Sequence, residues 1–191
     1  MPSAIYRVYQ FFMAVKASLP GWAGGDPGLQ LVQDQAEVVT ILITPAQQSL
    51  FKRMTSNDQR HALAVVRTLQ QAGHDNPALI QAALLHDVGK SLGQPLVHRV
   101  LIVLFEAFWP AALRWLSRLN TTKQVAQIIW WRRPFVIHAQ HPALGAEWAE
   151  VAGCDPVAVR LIARHQDRLA GRVEAEEERL LAALQWADNL N

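Results

Sequence analysis

The stretch that decides the fold of this chain is AALLHDVGK, residues 82–90. Its four leading apolar residues predict a buried helix, and His86 and Asp87 follow them directly. Gly89 is predicted to end this helix, because glycine most easily takes the conformation that a helix end requires. A neutral imidazole beside a carboxylate suits a divalent cation, since a carboxylate can bridge two ions whereas an imidazole nitrogen binds one. The doublet therefore predicts a metal site.

Helix signals surround the doublet on its N-terminal side. Ser56 and Gln59 have the spacing of a capping box, so a helix over 59–69 should carry His61 in its first turn. Asn76, which is followed by proline, is predicted to begin the helix that reaches the doublet. His61 and the doublet are therefore expected on rigid elements.

Three further candidate ligands lie towards the C-terminus. Pro142 is predicted to begin a helix directly after His141, because the residue before a proline disfavours helix. Asp155, again followed by proline, should begin a helix that presents His165 in its last turn. The final helix should hold Asp188. Six metal-capable side chains are thus expected to converge on one pocket: His61, His86, Asp87, His141, His165 and Asp188.

The ordered set resembles the HD-domain metal-dependent phosphohydrolases over roughly residues 58–191. The resemblance is carried by the upstream histidine, the doublet with its VGK tail, and the aspartate of WADN at residues 186–189. It implies a first metal site made of His61, His86, Asp87 and Asp188. His141 and His165 are similar to the additional histidines with which some members hold a second metal, bridged by the doublet aspartate.

The resemblance also implies a fold and an activity. The fold would be all-α, a helical bundle, and the activity would be hydrolysis of a nucleotide or another small phosphoester by a metal-activated hydroxide. The cofactors would be divalent ions, two of them, from among Mn, Mg, Fe, Ni, Co and Zn. Asp87 and Lys90 are the expected catalytic residues. For Lys90 two roles stay open, contact with a phosphate or a solvated charge that suits the C-terminal end of a helix.

Two departures from the family pattern bear on domain organisation. The Gly-Tyr-Pro signature of the cyclic-di-GMP branch is absent, which argues against a cyclic dinucleotide substrate. About fifty residues separate Asp87 from His141, which implies an insertion that shapes or covers the pocket. We therefore expect an N-terminal helical extension over 1–55 and an HD domain over 56–191, interrupted by a hydrophobic insertion at about 95–135.

Composition narrows the class of protein. A length of 191 residues suits one core, and 51% hydrophobic with 18% charged residues suggests a helical protein with much apolar surface. A single cysteine, Cys154, excludes an internal disulfide framework and suits the cytoplasm, where we expect this protein. The apolar pattern of 3–19 lacks the uninterrupted core of a signal peptide. A net charge of +2 is too small to indicate a nucleic-acid partner.

The insertion is the most hydrophobic part of the chain. A membrane-spanning helix over 97–119 is not expected, because Glu106 and Arg114 lie within it and Pro110 interrupts it. Its tryptophans beside arginines are typical of a helix at lipid headgroups. We expect helices over 97–119 and 125–131 that pack on the N-terminal helix of Phe11 and Phe12, leaving peripheral membrane contact or a homodimer as roles for any remaining apolar stripe.

Other interpretations of these residues stay open. A lone histidine is usually a core or surface residue, which is the role assigned to His74, His98 and His138. The same six ligands would also serve an oxygenase with two irons, similar to the inositol oxygenases of the same superfamily. A non-catalytic scaffold that binds membrane or a partner is a third hypothesis, which the complete ligand set disfavours. Neither the substrate nor the metal can be named from the sequence.

Overall fold

The computed structural model describes residues 41–42, 44–93, 96–118, 128–167 and 175–191. All regular elements in these ranges are helices, which confirms the all-α prediction. The helices are α1 (Pro45–Arg53), α2 (Ser56–Gln71), α3 (Pro77–Leu85), the 3₁₀ helix η1 (Val88–Leu92), α4 (Leu96–Phe108), α5 (Pro110–Leu116), α6 (Arg133–Val151), α7 (Pro156–Arg164) and α8 (Glu176–Leu190).

The chain divides into two compact units. We name them the insertion unit, formed by the described residues of Leu92–Ala139, and the main unit, formed by those of Pro27–Ser91 and Gln140–Asn191. Helix α6 contributes residues to both units. All six candidate ligands belong to the main unit, and the predicted domain boundaries at 55/56 and about 95–135 stay a prediction.

Helix α3 lies at the centre of the main unit. Eight of its nine residues, Ala78 to Leu85, are buried, and it packs against α1, α2, α7 and α8. A helix that is apolar on all sides can only be stable when it is surrounded in this way. Helix α3 ends at Leu85 with His86 as its C-cap, so the doublet is held at the end of the most buried element of the unit. The prediction that Gly89 ends this helix was wrong, because Gly89 lies inside η1.

Helix starts in the main unit follow local capping rules. Asn76 Oδ1 accepts hydrogen bonds from the backbone amides of Ala78 at 3.0 Å and Leu79 at 3.2 Å, which confirms the predicted start of α3. Asp155 Oδ1 accepts one from the Val157 amide at 2.7 Å, which confirms the predicted start of α7. Each cap fixes a helix whose other end carries a candidate histidine.

The predicted capping box of α2 was wrong by one residue. The N-cap is Thr55, whose Oγ1 accepts from the amide of Asp58 at 3.3 Å and donates to Asp58 Oδ2 at 2.7 Å. The Gln59 side chain instead donates to the carbonyls of Phe51 and Met54. Helix α2 therefore runs over 56–71 rather than 59–69, and His61 lies in its second turn rather than in the first.

The prediction that a helix begins at Pro142 was also wrong. Helix α6 continues through this proline, which lies well inside it. A proline in a helix removes one hydrogen bond and crowds the preceding turn, at a cost of about 3 kcal/mol. Burial on both sides offsets this cost, since Val136 and Ile137 before the proline and Ala149 after it have no exposed surface. Tertiary packing thus outweighs the local preference of proline against the interior of a helix.

The insertion unit has a small apolar core of its own. Ile102, Leu113, Leu116 and Phe135 are buried together, with Leu101 and Phe105 packed against them. Helices α4 and α5 occupy residues 97–108 and 110–116 of the predicted helical stretch 97–119, which is therefore two helices and not one, and which ends earlier than predicted. Residues 128–132 form a turn, so the predicted helix over 125–131 was wrong there. Residues 119–127 and the predicted packing on Phe11 and Phe12 lie outside the described residues.

Within the described ranges, no helix combines the length and the apolar character that are needed to cross a bilayer.

Gly89 permits a close approach between η1 and α6. A side-chain Cβ at this position would lie 2.8 Å from the Cα and 2.9 Å from the carbonyl carbon of His141, and closer still to its carbonyl oxygen. These are backbone atoms, which cannot move aside as a flexible side chain can. The glycine after the doublet is therefore required by the packing of the helix that carries His141.

We predict that Gly89→Ala lowers the free energy of unfolding by about 1–3 kcal/mol, as overpacking typically does, and displaces His141. Gly145→Ala is the matched control, since its Cβ would meet the side-chain methyls of Ile162 and Val88 at 3.3 Å and the backbone nitrogen of Gly89 only at 3.5 Å. Thermal unfolding followed by circular dichroism measures both variants. Equal melting temperatures for the two would contradict this role of Gly89.

Candidate metal centre

The structure brings the six predicted ligands together in two groups of three. The first group is His61 from α2, His86 at the end of α3, and Asp188 from α8. Asp188 Oδ1 lies 2.9 Å from His61 Nε2 and 3.4 Å from His86 Nε2. His61 and Asp188 keep about a quarter and a third of their side-chain surface exposed, at 25% and 32%. This group is therefore open to solvent on one side.

The second group is fully buried. It consists of Asp87, His141 from α6, and His165 at the end of α7. Asp87 Oδ1 lies 3.3 Å from His141 Nε2 and 3.8 Å from His165 Nε2, and the two Nε2 atoms are 3.2 Å apart. The three side chains thus point their ligand atoms at one small volume.

The Asp87 carboxylate lies between the two groups. Its Oδ1 faces His141 and His165, whereas its Oδ2 lies 3.6 Å from His86 Nε2 in the first group. The sequence interpretation assigned Asp87 to the first site with a bridging role, and the geometry places it in the second group with one oxygen towards the first. A carboxylate with two differently directed oxygens is suited to bridge two cations.

Two of the histidines are oriented by the helices that they end. His86 Nδ1 donates to the carbonyl of Ala83 at 2.9 Å, and His165 Nδ1 donates to the carbonyl of Ile162 at 2.8 Å. Both acceptors are last-turn carbonyls, which lack partners within a helix. Because a carbonyl can only accept, Nδ1 carries the proton in the neutral ring and Nε2 keeps its lone pair. Metal-ligating histidines are held by the same kind of contact.

These atoms satisfy the distance requirement of metal ligands. Two ligands bound to one ion at about 2.1 Å each are at most about 4.2 Å apart, and the pairs measured within each group are closer than this. His86 Nε2 is buried and has no hydrogen-bond partner in the part of the chain that the structure describes. A buried polar atom without a partner is costly unless something binds it. The two groups can therefore hold metal ions.

The electrostatics of the centre follow from burial and opposite charges. Burial alone would lower the pKa of His86, but the carboxylates of Asp87 and Asp188 outweigh it and raise this pKa to about 9. Burial also lowers the pKa of His165, to about 3, helped by the nearby His86. Asp87 stays ionised although burial opposes it, because Lys90 and His86 hold its pKa well below the usual value.

Lys90 points inwards rather than to solvent. Its Nζ lies 2.6 Å from Asp87 Oδ2, and only 23% of its side chain is exposed. Burial alone would lower the pKa of Lys90, but the Asp87 carboxylate raises it, so the ammonium stays charged. This contact contradicts the alternative of a solvated charge at the helix end. Contact with a phosphate stays a prediction.

The remaining histidines are members of neither group. His74 is exposed, the ring of His98 lies edge-on to Phe135 at 5.6 Å, and His138 contacts Glu106 at 3.0 Å. These positions agree with the prediction from the sequence that the three are core or surface residues and not metal ligands. Cys154 is buried, and burial raises the pKa of its thiol to about 11, so it stays protonated at neutral pH.

Two supporting residues were missed in the sequence. Gln185 Nε2 donates to the carbonyl of Asp167 at 2.9 Å, so α8 holds the turn directly after His165. Asp58 is a buried carboxylate whose charge also raises the pKa of Lys90. If Thr55 had been taken as the N-cap instead of Ser56, the same spacing of three residues would have identified Asp58. Gln185 has no local signal, because its acceptor lies in another element.

The chain matches no protein-family profile, no curated protein and no solved structure. The all-helical fold and the two groups of histidine and aspartate are compatible with an HD domain.

We predict that the two groups bind separate ions. Purified wild-type protein should contain about two equivalents of metal by elemental analysis, and His61→Ala or His141→Ala should each remove one, because each variant deletes a ligand of one group only. His138→Ala is the matched control, since it lies on the same helix as His141, three residues earlier, and outside both groups. Loss of metal from the control, or full occupancy in His141→Ala, would refute the assignment.

Metal affinity should rise with pH between about 6 and 9. His86 is protonated at neutral pH in the metal-free protein, because its pKa is raised to about 9, and it must lose that proton before Nε2 can bind an ion. Binding of Zn²⁺ at pH 7 should therefore release about one proton from His86. Titration calorimetry in two buffers of different ionisation enthalpy measures this number. An affinity that is constant from pH 6 to pH 8 would contradict it.

Proposed function

We propose that this protein is a metal-dependent phosphohydrolase of the HD superfamily that acts on a nucleotide or another small phosphoester. The observation that carries the proposal is the position of Asp87, whose carboxylate faces two histidine groups and pairs with the Lys90 ammonium. A carboxylate that can bridge two metal ions, with a cation beside it, is an arrangement suited to metal-dependent hydrolysis of a phosphoester. The first group is the open one, so the substrate would approach over His61 and Asp188.

The donor set fits the chemistry of divalent ions. Four imidazoles and two carboxylates are nitrogen and oxygen ligands, which suit Mn²⁺, Fe²⁺, Co²⁺, Ni²⁺ and Zn²⁺, and to a lesser degree Mg²⁺. When bound, such ions would supply Lewis acidity and a water whose pKa is lowered towards neutrality. The two aspartates carry fewer negative charges than two divalent ions carry positive ones, so the centre would keep the positive charge that a phosphate dianion needs.

The residues of the chain have separable roles in this proposal. The carbonyls of Ala83 and Ile162 hold the rings of His86 and His165, so their Nε2 atoms stay aimed at the centre without reorganisation. Asp87 orients Lys90 through the 2.6 Å contact, and the Lys90 ammonium would donate to a phosphate oxygen at the open side. The apolar end of α3 excludes water behind the doublet.

An iron-dependent oxygenase is the second candidate. Its support is the richness of the centre in imidazole, since four of the six ligands are histidines and imidazole suits iron well. The two candidates share their ligands and differ in metal and product. A non-catalytic scaffold is less favoured, because a scaffold does not need six ligands in two converging groups.

We predict that Asp87→Asn abolishes metal-dependent hydrolysis, with a loss of about a hundredfold or more. The substitution removes the charge shared by the two groups and keeps the shape of the side chain. A screen of nucleotides and small phosphoesters with Mn²⁺ identifies the substrate, and release of inorganic phosphate measures the rate. Retention of full activity in the variant would refute the mechanism, and oxygen consumption by iron-loaded protein without phosphate release would favour the oxygenase.

A double variant distinguishes a loss of catalysis from a loss of stability. Asp87→Asn alone leaves the Lys90 ammonium mostly buried without its partner, so it should also lower stability. Asp87→Asn combined with Lys90→Gln removes both charges and should recover much of the lost melting temperature while hydrolysis stays absent. Exposed His74→Ala serves as a control that keeps both activity and stability. Activity in the double variant would show that neither residue takes part in catalysis.

A further inference from the structure

The insertion unit leaves large aromatic side chains in solvent. Four of them expose about two thirds or more of their surface: Phe108 68%, Trp109 69%, Trp115 62% and Trp130 79%. Trp131 at 40% and Ile129 at 59% are the neighbours of Trp130 in the turn before α6. Soluble monomers rarely expose so much apolar surface without a binding partner. We name these six residues the tryptophan surface.

Helix α5 presents one regular stripe of this surface. Ala111, Arg114 and Trp115 are exposed on one face of this helix, whereas Leu113 is buried in the small core of the unit. Arg118, two residues after the end of α5, is also exposed. Tryptophan and arginine thus share the outward face of a short helix. An interfacial helix uses the same combination, with an amphipathic ring at the lipid headgroups and a cation next to it.

Arg132 fixes the turn before α6 to the end of α5. Its guanidinium donates to the carbonyls of Leu116 at 3.0 Å and Arg118 at 3.0 Å, and its Cζ lies 5.7 Å from the centre of the Trp115 ring. The carbonyls at the C-terminal end of a helix lack partners of their own, so this contact satisfies them. The turn residues Trp130 and Trp131 are thereby held near the exposed stripe of α5.

Charge is distributed unevenly along the chain. Residues 92–139 contain six basic side chains and one acidic one, Glu106, which gives this segment a net charge of +5. Because the whole chain carries +2, the rest of it carries −3. The exposed Arg114 of α5 and Arg118 just after it contribute to this excess directly. The partner of the tryptophan surface should therefore be anionic.

We propose that the tryptophan surface docks the protein peripherally onto a membrane that contains anionic lipid. Self-association is disfavoured, because two copies facing each other through this surface would bring together two segments that each have an excess of basic residues, including the exposed Arg114 and Arg118. A nucleic acid is disfavoured because Phe108 and Ile129 offer apolar area that a phosphate backbone cannot bury. A membrane with anionic lipid offers both a negative charge for the basic residues, at its headgroups, and an apolar phase for the aromatic residues, in its acyl chains. The proposal does not depend on the reaction catalysed in the main unit.

Vesicle sedimentation of the full chain tests the proposal. Wild-type protein should pellet with vesicles of phosphatidylcholine containing about a third phosphatidylglycerol, and should stay in solution with phosphatidylcholine alone. Arg114→Gln with Arg118→Gln should weaken binding about thirtyfold, which corresponds to about 2 kcal/mol at roughly 1 kcal/mol for each basic residue. Trp109→Ser with Trp130→Ser should reduce binding at least as strongly, through lost apolar area.

Val151→Ser is the control, because Val151 is 85% exposed and belongs to the main unit. It should bind vesicles as the wild type does, and circular dichroism should show the same helix content in every variant. Equal binding by the tryptophan variant and the wild type would overturn the proposal. Absence of vesicle binding by the wild type would also overturn the proposal. Sedimentation velocity would then show whether the protein is a monomer, forms a dimer through this surface, or binds a single-stranded oligonucleotide.

Discussion

The burial of one carboxylate constrains the rest of the main unit. Asp87 is 4% exposed at the end of an apolar helix, where an isolated negative charge would be strongly unfavourable. The charge is retained because Lys90 and His86 lie close to it and because His141 and His165 face its other oxygen. Every helix that surrounds α3, apart from α1, contributes a residue to this compensation or to the adjoining group. The packing of the unit and the assembly of the centre are thus one arrangement.

Much of the fold could be predicted because its signals are local. The caps at Asn76 and Asp155 depend on a side chain and the amides two or three residues later, so sequence spacing alone identifies them. Pro142 shows the opposite case. Whether a proline interrupts a helix depends on whether packing on both sides offsets its cost, and the burial of Val136 and Ala149 cannot be read from the residues next to it.

In the candidate centre, too, some features could be predicted from local sequence signals and others could not. The residue types and their positions at helix ends predicted six ligands, and all six lie in the two groups. The distribution between the groups could not be predicted, because the direction of each Asp87 oxygen depends on where η1 places the residues after the doublet. The same holds for Gln185, which supports the turn after His165 across a gap of eighteen residues in sequence.

The apolar residues of this chain lie in two different environments, the buried core of the main unit and the exposed surface of the insertion unit. The apolar residues of α3 are buried on all sides, whereas the tryptophans of the insertion unit remain exposed. Hydrophobicity alone does not distinguish the two, since both segments are rich in large apolar side chains. Charge does distinguish them, because α3 contains no charged residue and the exposed stripe of α5 alternates arginine with tryptophan. A cation interleaved with aromatic residues cannot enter a core without a partner, so such a stripe is retained at a surface.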